Sequence, residues 1–142
     1  AVKMLFDYCK QFRYVCRMDL TGDRLHAGGA ALYDKCGHLE LVWSDPDSQY
    51  HMSTMAGIWN PHNLKRVLIP GETPWQVELQ GTPRLRLLRQ EMIVLGSKEW
   101  PVRHTLAFRG GDNQKLLLDE IDPADVAEMT RLELLAPWGV TP

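Results

Sequence analysis

The longest apolar-rich run of this chain, residues 82–96 with the sequence TPRLRLLRQEMIVLG, constrains the fold more than any other feature. Its start is typical of a helix, because Thr82 is a good N-cap and Pro83 suits the first helical position. Gly96 could end that helix in a left-handed conformation. The apolar side chains would then share one helical stripe, formed by Leu85, Leu88, Met92 and Leu95.

A strand is the alternative for the same run. Residues 84–87 alternate Arg with Leu, and residues 92–95 are consecutively apolar. We expect the helix, and the choice bears on function. A strand would place Arg84 and Arg86 together on one face of a sheet, where they could form a basic platform. A helix would turn the arginines away from any shared flat surface.

Composition predicts one globular domain over residues 1–142. Hydrophobic residues make up 44% of the chain and charged residues 24%, as in ordinary globular proteins. A chain of this size buries roughly 68% of its unfolded surface, so it needs neither a disulfide nor a metal ion to fold. No repeat, low-complexity tract or linker divides it.

Alternation of apolar and polar residues predicts several strands. Residues 12–20, 25–33 and 38–43 form an expected antiparallel meander, in which the first strand buries one face. The second strand passes through Gly28 and Gly29, which suggests a bulge or the close approach of a ligand. Shorter strands are expected at residues 64–69 and 75–80.

The last third predicts a hairpin and a helix. Strands at residues 102–108 and 115–121 flank an Arg-Gly-Gly-Asp-Asn turn. Asp122 and Pro123 then supply an N-cap and a first helical residue. That helix either continues to about Leu135 or stops near Met129 and is followed by a strand. The fold class is therefore α+β, with a mostly antiparallel sheet of six or seven strands, one to three helices, and a single helical layer on the sheet.

The cysteine count favours a reducing compartment. Cys9, Cys16 and Cys36 are odd in number, whereas a small secreted protein usually pairs its cysteines. The first residues do not resemble a signal peptide, and no run of 18 apolar residues predicts a membrane span. We therefore expect a cytoplasmic protein that does not bind membranes.

Metal, cofactor and catalytic motifs are weak. Cys36 and His38 form one short pair without the second pair that zinc sites show, so no metal ligand and no cofactor is predicted. His51 lies two residues before Ser53, and His104 precedes Thr105. These pairs leave a small hydrolase, with a pocket near residues 44–63, as one alternative function.

Charge and aromatic content point to binding. Residues 65–109 hold eight Lys and Arg against four Asp and Glu, a net of +4, although the whole chain carries −2. Proteins bind single-stranded nucleic acid with arginines, which neutralise phosphates, and with aromatic rings, which stack on bases. A nucleic-acid-binding protein is therefore a second alternative function. The expected binding residues are Trp59, Trp75, Arg84, Arg86, Arg89, Trp100 and Arg103.

The favoured prediction is a non-enzymatic binding or interaction domain. Trp, Met and Arg are enriched at interfaces, and the chain is rich in all three. We expect self-association into a homo-oligomer, together with a protein or small-molecule partner. Nucleic acid is a possible partner that the overall charge does not favour.

Overall fold

A computed structural model of the chain describes residues 1–21, 31–99, 101–102 and 121–135, and the backbone of residues 108–109 and 115–116. Two compact units are present, Ala1–Arg103 and His104–Pro142. The α+β class is confirmed, with a five-stranded sheet and four helices in the described part of the chain. In that part, no helix has both the length and the apolar character needed to cross a membrane.

The first unit contains the five-stranded sheet and three helices. Its elements in chain order are α1 (Val2–Gln11), β1 (Val15–Asp19), β2 (Ala31–Cys36), β3 (Leu39–Trp43), β4 (Gly57–Trp59), α2 (Pro61–Leu64), α3 (Pro74–Leu87) and β5 (Ile93–Ser97). The strand order is β2-β3-β5-β1-β4. Since β1 and β5 are parallel and the other neighbours antiparallel, the sheet is mixed and has fewer strands than predicted.

The predicted meander is wrong because β5 lies between β3 and β1. Strands β2 and β3 do form an antiparallel hairpin, but β2 continues to Cys36 instead of ending at residue 33, and the turn uses Gly37 at a φ of 61°. All five residues of β1 are buried, so this strand is covered on both faces rather than on one. An interior position in the sheet explains that burial. The alternation of apolar and polar residues indicates one apolar face, but it does not show that other elements also cover the polar face.

Helix α3 replaces the strand predicted at residues 75–80. The Thr73 side chain accepts a hydrogen bond from the Gln76 amide, and the Gln76 side chain accepts one from the Thr73 amide. This reciprocal capping box fixes the helix start, with Pro74 at the first helical position. The expected start at Thr82 is wrong, because Thr82 and Pro83 lie inside the helix.

The run at residues 82–96 is part helix and part strand. It continues α3 to Leu87, turns over the next five residues, and forms β5. Leu85 and Met92 belong to one core cluster, whereas Leu95 belongs to the cluster on the opposite face of the sheet. The predicted single stripe is therefore divided between two cores.

Hydrophobic clusters cover both faces of the sheet, so helices pack on two sides and not in one layer. The first cluster joins α1 to the sheet and includes Leu5, Tyr8, Val15, Met18, Leu41 and Leu95. The second includes Cys16, Met52, Val67, Leu85, Met92 and Val94.

The strand predicted at residues 64–69 is not formed. Helix α2 ends at Leu64, and turns follow it over residues 65–67. The Asn60 side chain accepts hydrogen bonds from the amides of His62 and Asn63, and Pro61 follows the cap. The Asn-Pro pair thus starts a helical turn that the apolar run alone did not reveal.

The second unit contains a strand pair and a helix. Strands β6 (Phe108–Arg109) and β7 (Lys115–Leu116) pair antiparallel, which agrees with the predicted hairpin over the residues described. Helix α4 (Pro123–Arg131) begins as expected, with the Asp122 carboxylate accepting from the Ala124 amide at 2.9 Å. It stops at Arg131 and is followed by turns, so neither predicted ending is observed.

Candidate functional site

Trp59 lies between two grooves of the first unit. It belongs to β4, an outer strand of the described sheet, and it pairs with Arg17 of β1. Its half-buried ring lines a groove beside α3 and another beside α1. Among the predicted binding residues in the described part of the chain, Trp59 alone lines these two grooves.

A buried ion pair supports Trp59 from beneath. The side chains of Arg17 and Asp19 are fully buried, and Arg17 Nη1 donates to the Asp19 carboxylate at 3.0 Å. Arg17 Nη2 donates to the Met55 carbonyl at 3.1 Å, and its guanidinium lies 5.3 Å from the Trp59 ring centroid. The second Asp19 oxygen accepts from the amide and the hydroxyl of Thr21. A buried charge with this many partners fixes the wall between the grooves.

Gly57 provides the space for that ion pair. An added Cβ would lie 2.9 Å from Arg17 Nε and 3.1 Å from the Met18 carbonyl oxygen. The second neighbour is backbone and cannot turn away. Glycine at this position therefore lets β4 approach β1 closely enough to place Trp59 over Arg17.

The first groove, called the α3 groove, lies between residues 52–54 and helix α3. Its volume is about 320 Å³. Most of its lining is apolar, and the residues are Met52, Ser53, Thr54, Trp59, Leu64, Leu68, Glu72, Pro74 and Val77. This size lies at the small end of the range for ligand cavities.

Two carboxylates hold the polar parts of the α3 groove. Glu72 accepts two hydrogen bonds from Arg84, at 2.9 and 2.6 Å, and the bond from Arg84 lowers the pKa of Glu72. Glu78 accepts from the Thr54 amide at 2.6 Å and from the Thr54 hydroxyl at 2.8 Å. These bonds tie the loop before β4 to α3, so the groove is largely formed without a ligand.

The second groove, called the α1 groove, lies between helix α1 and the outer side of β4. Its volume is about 430 Å³. Its lining consists of Phe6, Cys9, Lys10, Arg13, Ile58, Trp59, Asn60 and Pro61. The side-chain amides of Asn60 and Asn63 both donate to the Arg13 carbonyl, which fixes the chain after α1 against α2.

Each of the three predicted arginines lies beside a carboxylate. Arg84 binds Glu72, while Arg86 and Arg89 both lie near Asp47, at 3.3 and 3.9 Å. Trp75 is 60% exposed, and its ring centroid lies 6.4 Å from that of Tyr50. Trp100 and Arg103 lie outside the described residues.

The histidine and hydroxyl side chains near residues 44–63 lie in different environments. Ser44 Oγ and His51 Nδ1 are hydrogen bonded at 3.0 Å, and both side chains are buried. Neither lines the two grooves, so this pair is not placed to meet a ligand there. Ser53 does line the α3 groove, and its hydroxyl accepts from the Met55 amide at 3.2 Å. His104, Gly28 and Gly29 lie outside the described residues.

The cysteines are free thiols whose environments oppose ionisation. Burial raises the pKa of Cys16 to about 12 and that of Cys9 to about 11. Burial also raises the pKa of Cys36, with a smaller contribution from Asp34. Over the residues described, no group of three or more His, Cys, Asp and Glu side chains is placed to hold a metal ion.

Sequence analysis missed most residues that build these grooves. Alternation at residues 12–20 predicts that Arg17 and Asp19 lie on the exposed face of a strand, whereas both are buried. The sequence does indicate that they could pair, because opposite charges two residues apart lie on the same face of a strand. Lys10 lies in a segment for which no element was predicted, and Arg13 lies in the strand predicted at residues 12–20, so their proximity was not expected. Comparisons with known proteins add no relative, since no family model, curated protein or solved structure matches the chain.

Proposed function

We propose that this protein is a non-enzymatic binding domain and that the α3 groove is its ligand site. The observation that carries the proposal is a cavity with largely apolar walls whose loop and helix are already tied together by Glu78 and Thr54. A site formed in advance loses little conformational entropy when the ligand enters.

The groove supports a small, mainly apolar ligand. Met52, Trp59, Leu64 and Val77 provide flat and branched apolar surface, which favours a compact hydrocarbon or aromatic body. The Glu72 carboxylate already accepts two bonds from Arg84, so it contributes little free charge toward an ionic ligand.

The other candidate functions have less support. Arg84, Arg86 and Arg89 each lie beside a carboxylate, which reduces the positive potential that nucleic acid would need. A hydrolase near residues 44–63 would need a base that reaches a nucleophile at a cavity, whereas Ser53 lines the α3 groove and His51 is buried and bonded to Ser44. We place the protein in the cytoplasm because its three cysteines are free.

A neutral fluorescent probe, N-phenyl-1-naphthylamine, tests the groove. Leu68 lines it and is 41% exposed, so Leu68→Gln changes the wall without opening the core. We expect the affinity of the probe to fall by about tenfold, because burying a leucine side chain contributes about 1.5–3 kcal/mol. The control is Leu87→Gln, since Leu87 is 83% exposed and lies outside the groove lining. Equal affinity in both variants and the parent would refute the proposed site.

Self-association is the second part of the proposal, and strand β2 is the surface that supports it. In the described part of the chain, β2 is an outer strand, and Leu32 on it is 59% exposed. Outer strands with apolar side chains readily pair with a second copy through a two-fold contact. Sedimentation velocity tests this. We expect a concentration-dependent dimer that Leu32→Lys abolishes and Leu87→Lys retains, and a monomer at high concentration would contradict it.

A further inference from the structure

The α1 groove has a different chemical character from the α3 groove. Two of its lining side chains, Lys10 and Arg13, are cationic, and none of its lining residues is acidic. Within the described residues, neither cation makes an ion pair with a carboxylate. The nearest acidic side chain along α1, Asp7, is bonded to Lys3 at 2.6 Å. Asp7 also attracts Lys10, whereas no described carboxylate pairs with Arg13, so the lining of this groove keeps a positive charge.

Apolar surface lies directly beside those charges. Phe6 and Lys10 lie one helical turn apart on α1, Arg13 follows after the helix ends at Gln11, and all three line the groove. Lys10 Nζ lies 5.8 Å from the Phe6 ring centroid. Trp59 and Ile58 of β4 form the opposite wall. The carbonyl of Arg13, which would repel an anion, already accepts from Asn60 and Asn63.

We infer that the α1 groove binds a small anion that carries a flat apolar ring system. The ring would lie between Phe6 and Trp59, and the anionic group would meet Lys10 and Arg13. Aromatic faces contribute apolar contact over a large area, and a guanidinium or ammonium donates charge-assisted hydrogen bonds to a carboxylate or phosphate. The volume of about 430 Å³ accommodates a molecule of two or three fused rings, within the range of ligand cavities. This site is separate from the α3 groove and does not depend on it.

Two matched dyes test the charge requirement. The anionic probe is 1-anilinonaphthalene-8-sulfonate, and the neutral probe N-phenyl-1-naphthylamine has the same rings without the sulfonate. We expect Lys10→Gln together with Arg13→Gln to weaken the anionic probe by about tenfold or more, since hydrogen bonds to charged groups are the stronger ones. Binding of the neutral probe should change less than twofold. Salt should weaken the anionic probe in the parent protein more than in the double variant.

Control variants locate the effect. Lys3→Gln removes a cation from the same helix outside the groove, and Leu68→Gln changes the α3 groove alone. Both should retain the affinity of the anionic probe, so failure of the α3 site and failure of this site are separate results. Circular dichroism verifies that each variant is folded, which is expected because Lys10 and Arg13 are exposed. Unchanged affinity for the anionic probe in the double variant overturns the inference.

Competition identifies the kind of anion. Displacement of the anionic probe by adenosine monophosphate assigns the groove to nucleotides, whereas displacement by 1-naphthoate assigns it to aromatic carboxylates. Failure of both compounds to displace the probe at millimolar concentration overturns the inference.

Discussion

The guanidinium of Arg17 lies 5.3 Å from the ring centroid of Trp59. Because Trp59 separates the two grooves, a fully buried charge lies under the wall that they share. The arrangement couples stability to the proposed function. Any change that disturbs the ion pair between Arg17 and Asp19 should also move the shared wall of both grooves.

We predict that Asp19→Asn destabilises the protein by about 3–5 kcal/mol, because it leaves the buried Arg17 charge without its carboxylate. Urea unfolding followed by circular dichroism measures the loss. Arg17→Met combined with Asp19→Leu should recover much of it, since a pair of apolar residues carries no unpaired charge. As a control, Arg86→Gln breaks a partly exposed pair and should cost less than about 1 kcal/mol. A cost for Asp19→Asn no greater than that of the control would contradict the prediction.

Gly57→Ala should destabilise the protein by about 1–3 kcal/mol, because the added methyl group meets Arg17 and the backbone of Met18. The same substitution at Gly81 is the matched comparison. There the nearest atom is Cγ of the Met52 side chain, and alanine is the better helix former by about 1 kcal/mol. Thermal unfolding should therefore separate the two variants. Equal melting temperatures would show that Gly57 is not required for the approach of β4 to β1.

Thr73→Ala should cost about 1 kcal/mol, because it removes the side-chain acceptor of the capping box at the start of α3. Thr73→Asn should retain most of the stability, since asparagine is an equally good N-cap. Chemical unfolding of the two variants checks this. If both lose the same amount, the contribution comes from something other than the cap.

The buried thiol of Cys16 should make the protein less stable at alkaline pH. Its pKa is about 12 in the folded chain against an ordinary value of 9.0, so the unfolded chain binds fewer protons between these values. Stability is therefore fully present below pH 9.0 and decreases as the pH rises toward 12. Urea unfolding as a function of pH should show this decrease, and Cys16→Ala should make it shallower. An identical slope in the variant would assign the decrease to other groups.

Local signals in the sequence predicted individual elements better than their arrangement. The cap at Asp122 and the β2–β3 hairpin are specified by neighbouring residues, and both are observed. Thr-Pro pairs occur at Thr73 and at Thr82 in the first unit, and only the first of these two starts a helix. Sequence analysis used the second pair, because the capping box with Gln76 was not recognised.

The grooves could not be predicted, because they depend on contacts between distant segments. The α3 groove requires Thr54 to reach Glu78, and the α1 groove requires α1 to lie beside β4. The abundance of tryptophan drew attention to Trp59, but nothing near it in the sequence indicates Arg17 as its neighbour. Arg86 and Arg89 lie beside Asp47, which belongs to a loop distant in the sequence, so these ion pairs could not be predicted either.

The position of β5 has a consequence for synthesis of the chain. Val15 of β1 pairs with Ile93 of β5, so an interior strand of the sheet must wait for a partner 78 positions later in the chain. While the ribosome is still making the intervening residues, β5 does not yet exist. The apolar face of β1 and its charged pair, Arg17 and Asp19, therefore lack this neighbouring strand. Parallel pairing between strands that are far apart in the sequence forms slowly and leaves apolar surface exposed until it is complete. A nascent chain that ends before β5 should therefore be a substrate for chaperones, and one extended just beyond it should be released.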